Sequence, residues 1–183
     1  MSSILVTGAN GHLGRRFIAG LAAGTPVAAL VRSARARRRL ERDVGGKPGL
    51  AITLASPQDA AAVTALAAGC DRALHLVGSI RETPGNSYAD SHQRPAAALL
   101  AAAARHGLGR IVYLSILGAD AASASACLRA RAAVETALLE AATPACIIRV
   151  PMVLGEGDRA SAALARRARA RRVFLFRGAS LEQ

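Results

Sequence analysis

The strongest constraint on this chain lies at its amino end. Three apolar residues, Ile4-Leu5-Val6, run directly into Thr7-Gly8-Ala9-Asn10-Gly11-His12-Leu13-Gly14, with the spacing T-G-x-x-G-x-x-G. A short strand, a glycine-rich turn and a helix are the parts of a βα unit that cradles a pyrophosphate. The glycines let the backbone turn sharply and approach phosphate oxygens, and the last one lets the helix pack on the strand. The helix start adds unsatisfied N–H groups and the positive end of the helix dipole. The turn predicts a dinucleotide site built on Thr7, Gly8, Asn10, Gly11, His12, Leu13 and Gly14.

The rest of the chain fits that frame. Apolar runs recur at 4–6, 27–31, 50–54, 73–77, 111–114 and 146–150, each nearly continuous. Parallel strands buried on both faces read this way. Between them, alanine-rich amphipathic stretches at 12–23, 34–42, 58–68, 96–106 and 124–142 read as helices. The alternation predicts an α/β fold: a Rossmann-type doubly wound parallel sheet in three αβα layers, one nucleotide-binding domain over 1–183. Hydrophobic residues make up 52% of the chain and aromatics 3%, so the core is aliphatic. Ser56-Pro57 marks the opening of the third helix and His106-Gly107 the close of the fourth. Proline deep in a helix costs about 3 kcal/mol, so Pro95 places the fourth helix start near Arg94. An Ala/Arg-rich stretch at 159–172 reads as helical, and a short apolar run at 173–176 follows it.

The end of the second apolar run bears on which nucleotide is bound. It reads Val31-Arg32-Ser33. An acidic residue there suits the ribose 2′-hydroxyl of NAD, whereas arginine suits the 2′-phosphate of NADP. NADP(H) is expected over NAD(H), with Arg32 on the phosphate and Ser33 as a hydroxyl donor. The net charge is +12, and Lys47 is the one lysine among 24 basic residues. Arginine binds phosphate bidentately. The arginine-rich faces therefore suit a protein partner or an anionic surface, or they are merely solvated. A nucleic-acid module ranks last, because the aromatic residues that stack on single strands are scarce and no helix-turn-helix pattern is evident. Cys70, Cys127 and Cys146 are widely spaced, and His12, His75, His92 and His106 are scattered, so neither a metal site nor a disulfide framework is expected. The amino end lacks a signal-peptide pattern and no run is long enough to span a bilayer, which points to the cytoplasm.

Several segments together resemble the atypical, extended short-chain dehydrogenase/reductase superfamily. They are the T-G-x-x-G-x-x-G turn, Leu30-Val31-Arg32, His75-Leu76-Val77-Gly78, the stretch from Val112 through Ser115 to Ala119, and Ile148-Arg149-Val150-Pro151 through Asp158-Arg159. Within the superfamily the likeness is nearest to the NADPH-binding accessory subunits of respiratory complex I and their bacterial relatives. NmrA-like and sugar-epimerase-like proteins are neighbouring groups. The resemblance implies that Leu76, Val77 and Gly78 lie along the cofactor, and that Pro151, Met152 and Val153 border the nicotinamide.

The chain also departs from that family. Active members carry Tyr-x-x-x-Lys at the start of the helix after the fifth strand. Here Cys127 stands in place of the tyrosine and Arg131 in place of the lysine. With Ser115, these are degenerate catalytic positions, although the resemblance leaves Ser115 and Arg131 within reach of the cofactor. A thiol is smaller than a phenol and titrates near 8.5 rather than 10. Relatives also place an Asp after the third strand for the adenine amino group, where this chain offers Thr53 or backbone. The family's smaller C-terminal substrate-binding portion is expected to be largely absent. The reading that follows is NADP(H) binding in a structural or regulatory role. The alternative is an atypical NADPH-dependent oxidoreductase acting on a quinone- or flavin-like acceptor.

Overall fold

A computed structural model of the chain describes residues 3–170. Six strands, β1 (Ile4–Thr7), β2 (Val27–Val31), β3 (Leu50–Leu54), β4 (Arg72–His75), β5 (Arg110–Ile116) and β6 (Ala145–Val150), form one sheet. Every pairing is parallel, and the strand order is β3-β2-β1-β4-β5-β6. This is the doubly wound order, whose direction of winding reverses between β1 and β4. Such a reversal opens a crevice at the carboxyl ends of those strands. The helices are α1 (His12–Gly20), α2 (Ala34–Val44), α3 (Ala60–Ala67), α4 (Arg94–His106), α5 (Ala126–Glu140) and α6 (Arg159–Ala168).

The sheet is buried by two separate aliphatic layers. On one face Leu5, Leu30, Ala73, Ile111 and Tyr113 pack beneath α3, α4 and α5. On the other, Val6, Ala29 and Val31 meet Ile18 of α1 and Ala36 and Leu40 of α2. This is the expected α/β three-layer architecture. The described residues fall into two compact units that divide between Pro151 and Met152. The first holds the sheet with α1–α5; the second holds α6. No helix among the described residues is long and apolar enough to cross a membrane.

Several boundaries differ from those the sequence suggests. The third helix does not open at Ser56-Pro57. It starts at Ala60, because the Asp59 carboxylate accepts the Ala62 N–H and caps it there. β4 ends at His75 rather than residue 77. The Leu76 N–H still reaches the Thr7 carbonyl, after which the chain turns away. α1 stops at Gly20 and α2 continues to Val44. The strands are not all buried on both faces: β3 and β6, at the two ends of the strand order, are partly exposed. A π-helical turn at Ala89–Gln93 precedes α4, which begins at Arg94 with its proline in the first turn, as Pro95 required. α6 covers most of the stretch at 159–172, and the apolar run at 173–176 lies outside the described residues.

Candidate functional site

The glycine-rich turn is shaped by contacts that leave no room for side chains. Gly8 has φ +73, and a Cβ there would stand 2.8 Å from the Leu76 carbonyl carbon and oxygen. At Gly14 a Cβ would stand 2.7 Å from the carbonyl oxygens of both Gly8 and Ala9. The Gly11 N–H closes the turn on the Gly8 carbonyl at 3.0 Å. Gly11 then starts α1 in extended geometry, with no side-chain cap and no acidic residue in the first turn. His12 and Leu13 occupy that first turn. An uncapped helix start without its own carboxylate is suited to an external anion.

A cleft of about 300 Å³ opens beside this turn. Gly8, Asn10, Gly11, Leu30 and Arg32 line it, together with Leu76, Val77, Gly78 and Ser79. Of the predicted residues, Gly8, Asn10, Gly11, Arg32, Leu76, Val77 and Gly78 thus line one space, whereas Thr7, His12, Leu13, Gly14 and Ser33 are not part of its lining. Ser33 caps α2, its Oγ accepting the Ala36 N–H at 3.1 Å. Ser56, Pro57 and Gln58, and Asn86, Asp90 and Ser91, also line the cleft, although no motif marks them as site residues. After the third strand it is Ser56, Pro57 and Gln58, not Thr53, that line the cleft. Gln58 Nε2 donates to the Asp90 carbonyl at 2.7 Å and so ties the entry of α3 to the π-helical turn. Asp90 accepts from the Ser87 hydroxyl and backbone, which holds its carboxyl below the usual range.

A polar seam lies behind the cleft wall. Thr7, His75 and Tyr113 are register partners across β1, β4 and β5. Thr7 is buried, and its Oγ1 lies 2.7 Å from His75 Nδ1. The seam, and not the cleft, therefore takes the Thr7 side chain. Burial, followed by the charges of His92 and Arg131, pushes the His75 pKa down to about 4. His92, also buried, stands behind Gly78, with Nε2 2.8 Å from the Ser79 carbonyl. Ser115 is fully buried in β5, and its Oγ has no hydrogen-bond partner among the described residues.

Cys127 and Arg131 fall in the first two turns of α5. Arg131 reaches under the cleft floor: its guanidinium sits close behind Gly78 and donates to the Leu114 carbonyl at 3.2 Å. The Cys127 Sγ lies 3.7 Å from the Ser79 carbonyl. The one phenol beside it comes from elsewhere in the chain. Tyr88 donates to the Ile80 carbonyl at 3.2 Å; its pKa is raised by lost solvent first, then by Cys127 and Glu82. That hydrogen bond engages its proton, and its spacing from Arg131 is not that of a Tyr-x-x-x-Lys pair. Pro151 directly follows β6, while Val153 belongs to the second unit. Among the described residues no group of three or more His, Cys, Asp or Glu side chains gathers.

Comparison with known proteins places these features. A family model described as NAD(P)H-binding matches residues 8–169. A mitochondrial protein of Arabidopsis thaliana, NADH dehydrogenase (ubiquinone) 1 alpha subcomplex subunit 9, is 32% identical over 163 residues. The match covers 87% of this chain but 40% of that protein, so the chain spans less than half of its relative's length. An NADPH-dependent quinone oxidoreductase from Escherichia coli, solved with NADPH, superposes with a TM-score of 0.63 at 23% identity, over 80% of this chain and 48% of that one. The enzyme WbmH of Bordetella bronchiseptica, solved with NAD+, gives 0.71 at 21% identity, over 87% and 58%. These two likenesses show the fold alone, and they carry different nucleotides.

Proposed function

The chain belongs to the NAD(P)H-binding family, on an atypical short-chain dehydrogenase/reductase scaffold, and from that premise we propose that it binds NADP(H) in preference to NAD(H) without the family's tyrosine–lysine chemistry. The observation that carries the nucleotide preference is Arg32. It lines the same cleft as Gly8 and Gly11, at the end of β2 and just before the start of α2. In this reading the uncapped start of α1 takes the pyrophosphate. Arg32 takes the 2′-phosphate bidentately, with Ser33 beside it. Ser56 to Gln58 border the adenine, and the backbone from Leu76 to Ser79 runs along the rest of the nucleotide. Arg131, close behind Gly78, would meet the nicotinamide ribose, and Pro151 would border the ring.

The loss of catalytic groups rests on Cys127. Its thiol is turned to the Ser79 carbonyl, and Tyr88, the nearby phenol, donates to a backbone carbonyl. The nucleotide then serves as a structural or regulatory ligand. When bound it would supply a hydride donor, for which these side chains provide no evident proton donor. Titration of the protein with NADPH and NADH by nucleotide fluorescence tests the reading. NADPH is expected to bind at least about tenfold tighter, a difference of about 1.4 kcal/mol, and Arg32→Glu is expected to remove that preference. Equal affinities, or an unchanged preference in the variant, would refute the role of Arg32. Steady NADPH oxidation with a quinone or flavin acceptor would instead favour the oxidoreductase alternative.

A further inference from the structure

The charge of this molecule is not spread evenly over its layers. Residues 12–47, which build α1, β2 and α2, hold nine basic side chains against Glu41 and Asp43, a net +7 of the chain's +12. The segments 57–71, 89–109 and 117–144, which build the opposite layer of α3, α4 and α5, hold four basic and six acidic side chains, a net −2. Composition bias alone would load both layers alike.

The cations of the first layer form one field. The Arg15 pKa is lowered by burial and then by the neighbouring charges of Arg39, Arg42 and Arg16, so arginines of α1 and α2 crowd together. Asp43 is shared by Arg15 and Arg42, while Glu41 pairs with Arg37. Both carboxylates are thus engaged by cations of the same layer. Ala36 and Leu40 face the sheet, which leaves Arg35, Arg38 and Arg42 on successive turns of the outward face of α2, all exposed. Arginine at i, i+3 and i+7 makes a continuous stripe along a helix.

We propose that this layer is a docking surface for an anionic lipid bilayer. The choice of occupant follows from what the face lacks. None of the large apolar side chains exposed among the described residues comes from residues 12–47. A protein partner is gripped by buried aromatic and apolar anchors, and a single nucleic-acid strand by stacked aromatic rings. A fluid sheet of lipid phosphates needs neither. It binds a polybasic face through charge alone, without shape complementarity, and within about a Debye length.

Co-sedimentation with vesicles tests the proposal. The protein is expected to pellet with vesicles of phosphatidylcholine mixed with phosphatidylglycerol, and not with phosphatidylcholine alone. Binding should vanish near 1 M salt, where the Debye length is about 3 Å. Each basic side chain near such a surface contributes about fivefold, so joint replacement of Arg35, Arg38 and Arg42 by Gln should weaken binding about a hundredfold. A control with Arg72, Arg105 and Arg110 replaced by Gln removes equal charge elsewhere and should weaken it far less. Thermal unfolding of both variants reports that they are folded. Equal loss in the two variants, equal binding to neutral vesicles, or no binding at all would overturn the proposal. Tighter binding to duplex DNA through the same three arginines at the same salt would overturn it as well.

Discussion

The site turns on single residues whose replacement has a defined physical cost. Gly8 combines a left-handed backbone with a contact too close for a methyl group. Gly8→Ala is therefore expected to destabilise the fold by about 1–3 kcal/mol and to weaken nucleotide binding by displacing the end of β4. Thermal melting and NADPH titration would read the two effects, and a variant with wild-type affinity would sink the assignment of this turn. The tight backbone packing at Gly8 and Gly14 and the place of Arg32 at the cleft were legible in the sequence because they are local: each sits at a fixed offset from a strand end. Gln58 was not. Its role depends on meeting the carbonyl of Asp90, 32 positions away, and no spacing rule encodes that encounter. Tyr88 was likewise hidden, since its approach to Cys127 depends on how the loop after β4 folds back.

Among the elements, α2 illustrates how little apolar surface can hold a helix. Of its 11 residues, Ala36 and Leu40 are buried, and seven others carry a charge. Leu40 is fully buried against the sheet. Leu40→Ala is expected to cost about 2–5 kcal/mol in stability, the range for a leucine cavity that cannot collapse. Urea unfolding would measure it, and a cost below about 1 kcal/mol would mean that α2 is held by its ion pairs instead. The sequence placed β2 and β3 at their observed bounds, since continuous apolar runs flanked by turn residues mark strands well. It missed the π-helical turn at Ala89–Gln93, because a shift to i→i+5 hydrogen bonding leaves no apolar period to read. It placed the start of α3 too early, because proline competes with an aspartate cap two residues on and the cap prevails.

For the molecule as a whole, the seam of Thr7, His75 and Tyr113 makes stability depend on pH. His75 is neutral in the fold, with its pKa near 4 against 6.5 for the free side chain. The unfolded chain takes up a proton that the folded chain refuses, so stability is lost as the pH falls from about 6.5 to about 4. A shift of that size amounts to about 3 kcal/mol. His92, lowered chiefly by burial, acts in the same sense. Unfolding by urea across that window should show the loss, and His75→Gln should flatten the profile. A profile with the same slope in the variant would place the sensitivity elsewhere.

The cleft is assembled from stretches of chain that are remote in sequence: Gly8 to Gly11, Leu30 to Arg32, Ser56 to Gln58, Leu76 to Ser79, and Asn86 to Ser91. A nucleotide lying across them acts as a non-covalent staple. At a hundred times its dissociation constant, a ligand bound only by the folded form adds about 2.7 kcal/mol of stability. That is a large share of the 5–15 kcal/mol, roughly, that holds an ordinary domain together. On the proposed reading of the nucleotide as a structural or regulatory ligand, its pool would then govern how long the protein survives degradation, and the protein's abundance would follow the supply of that ligand.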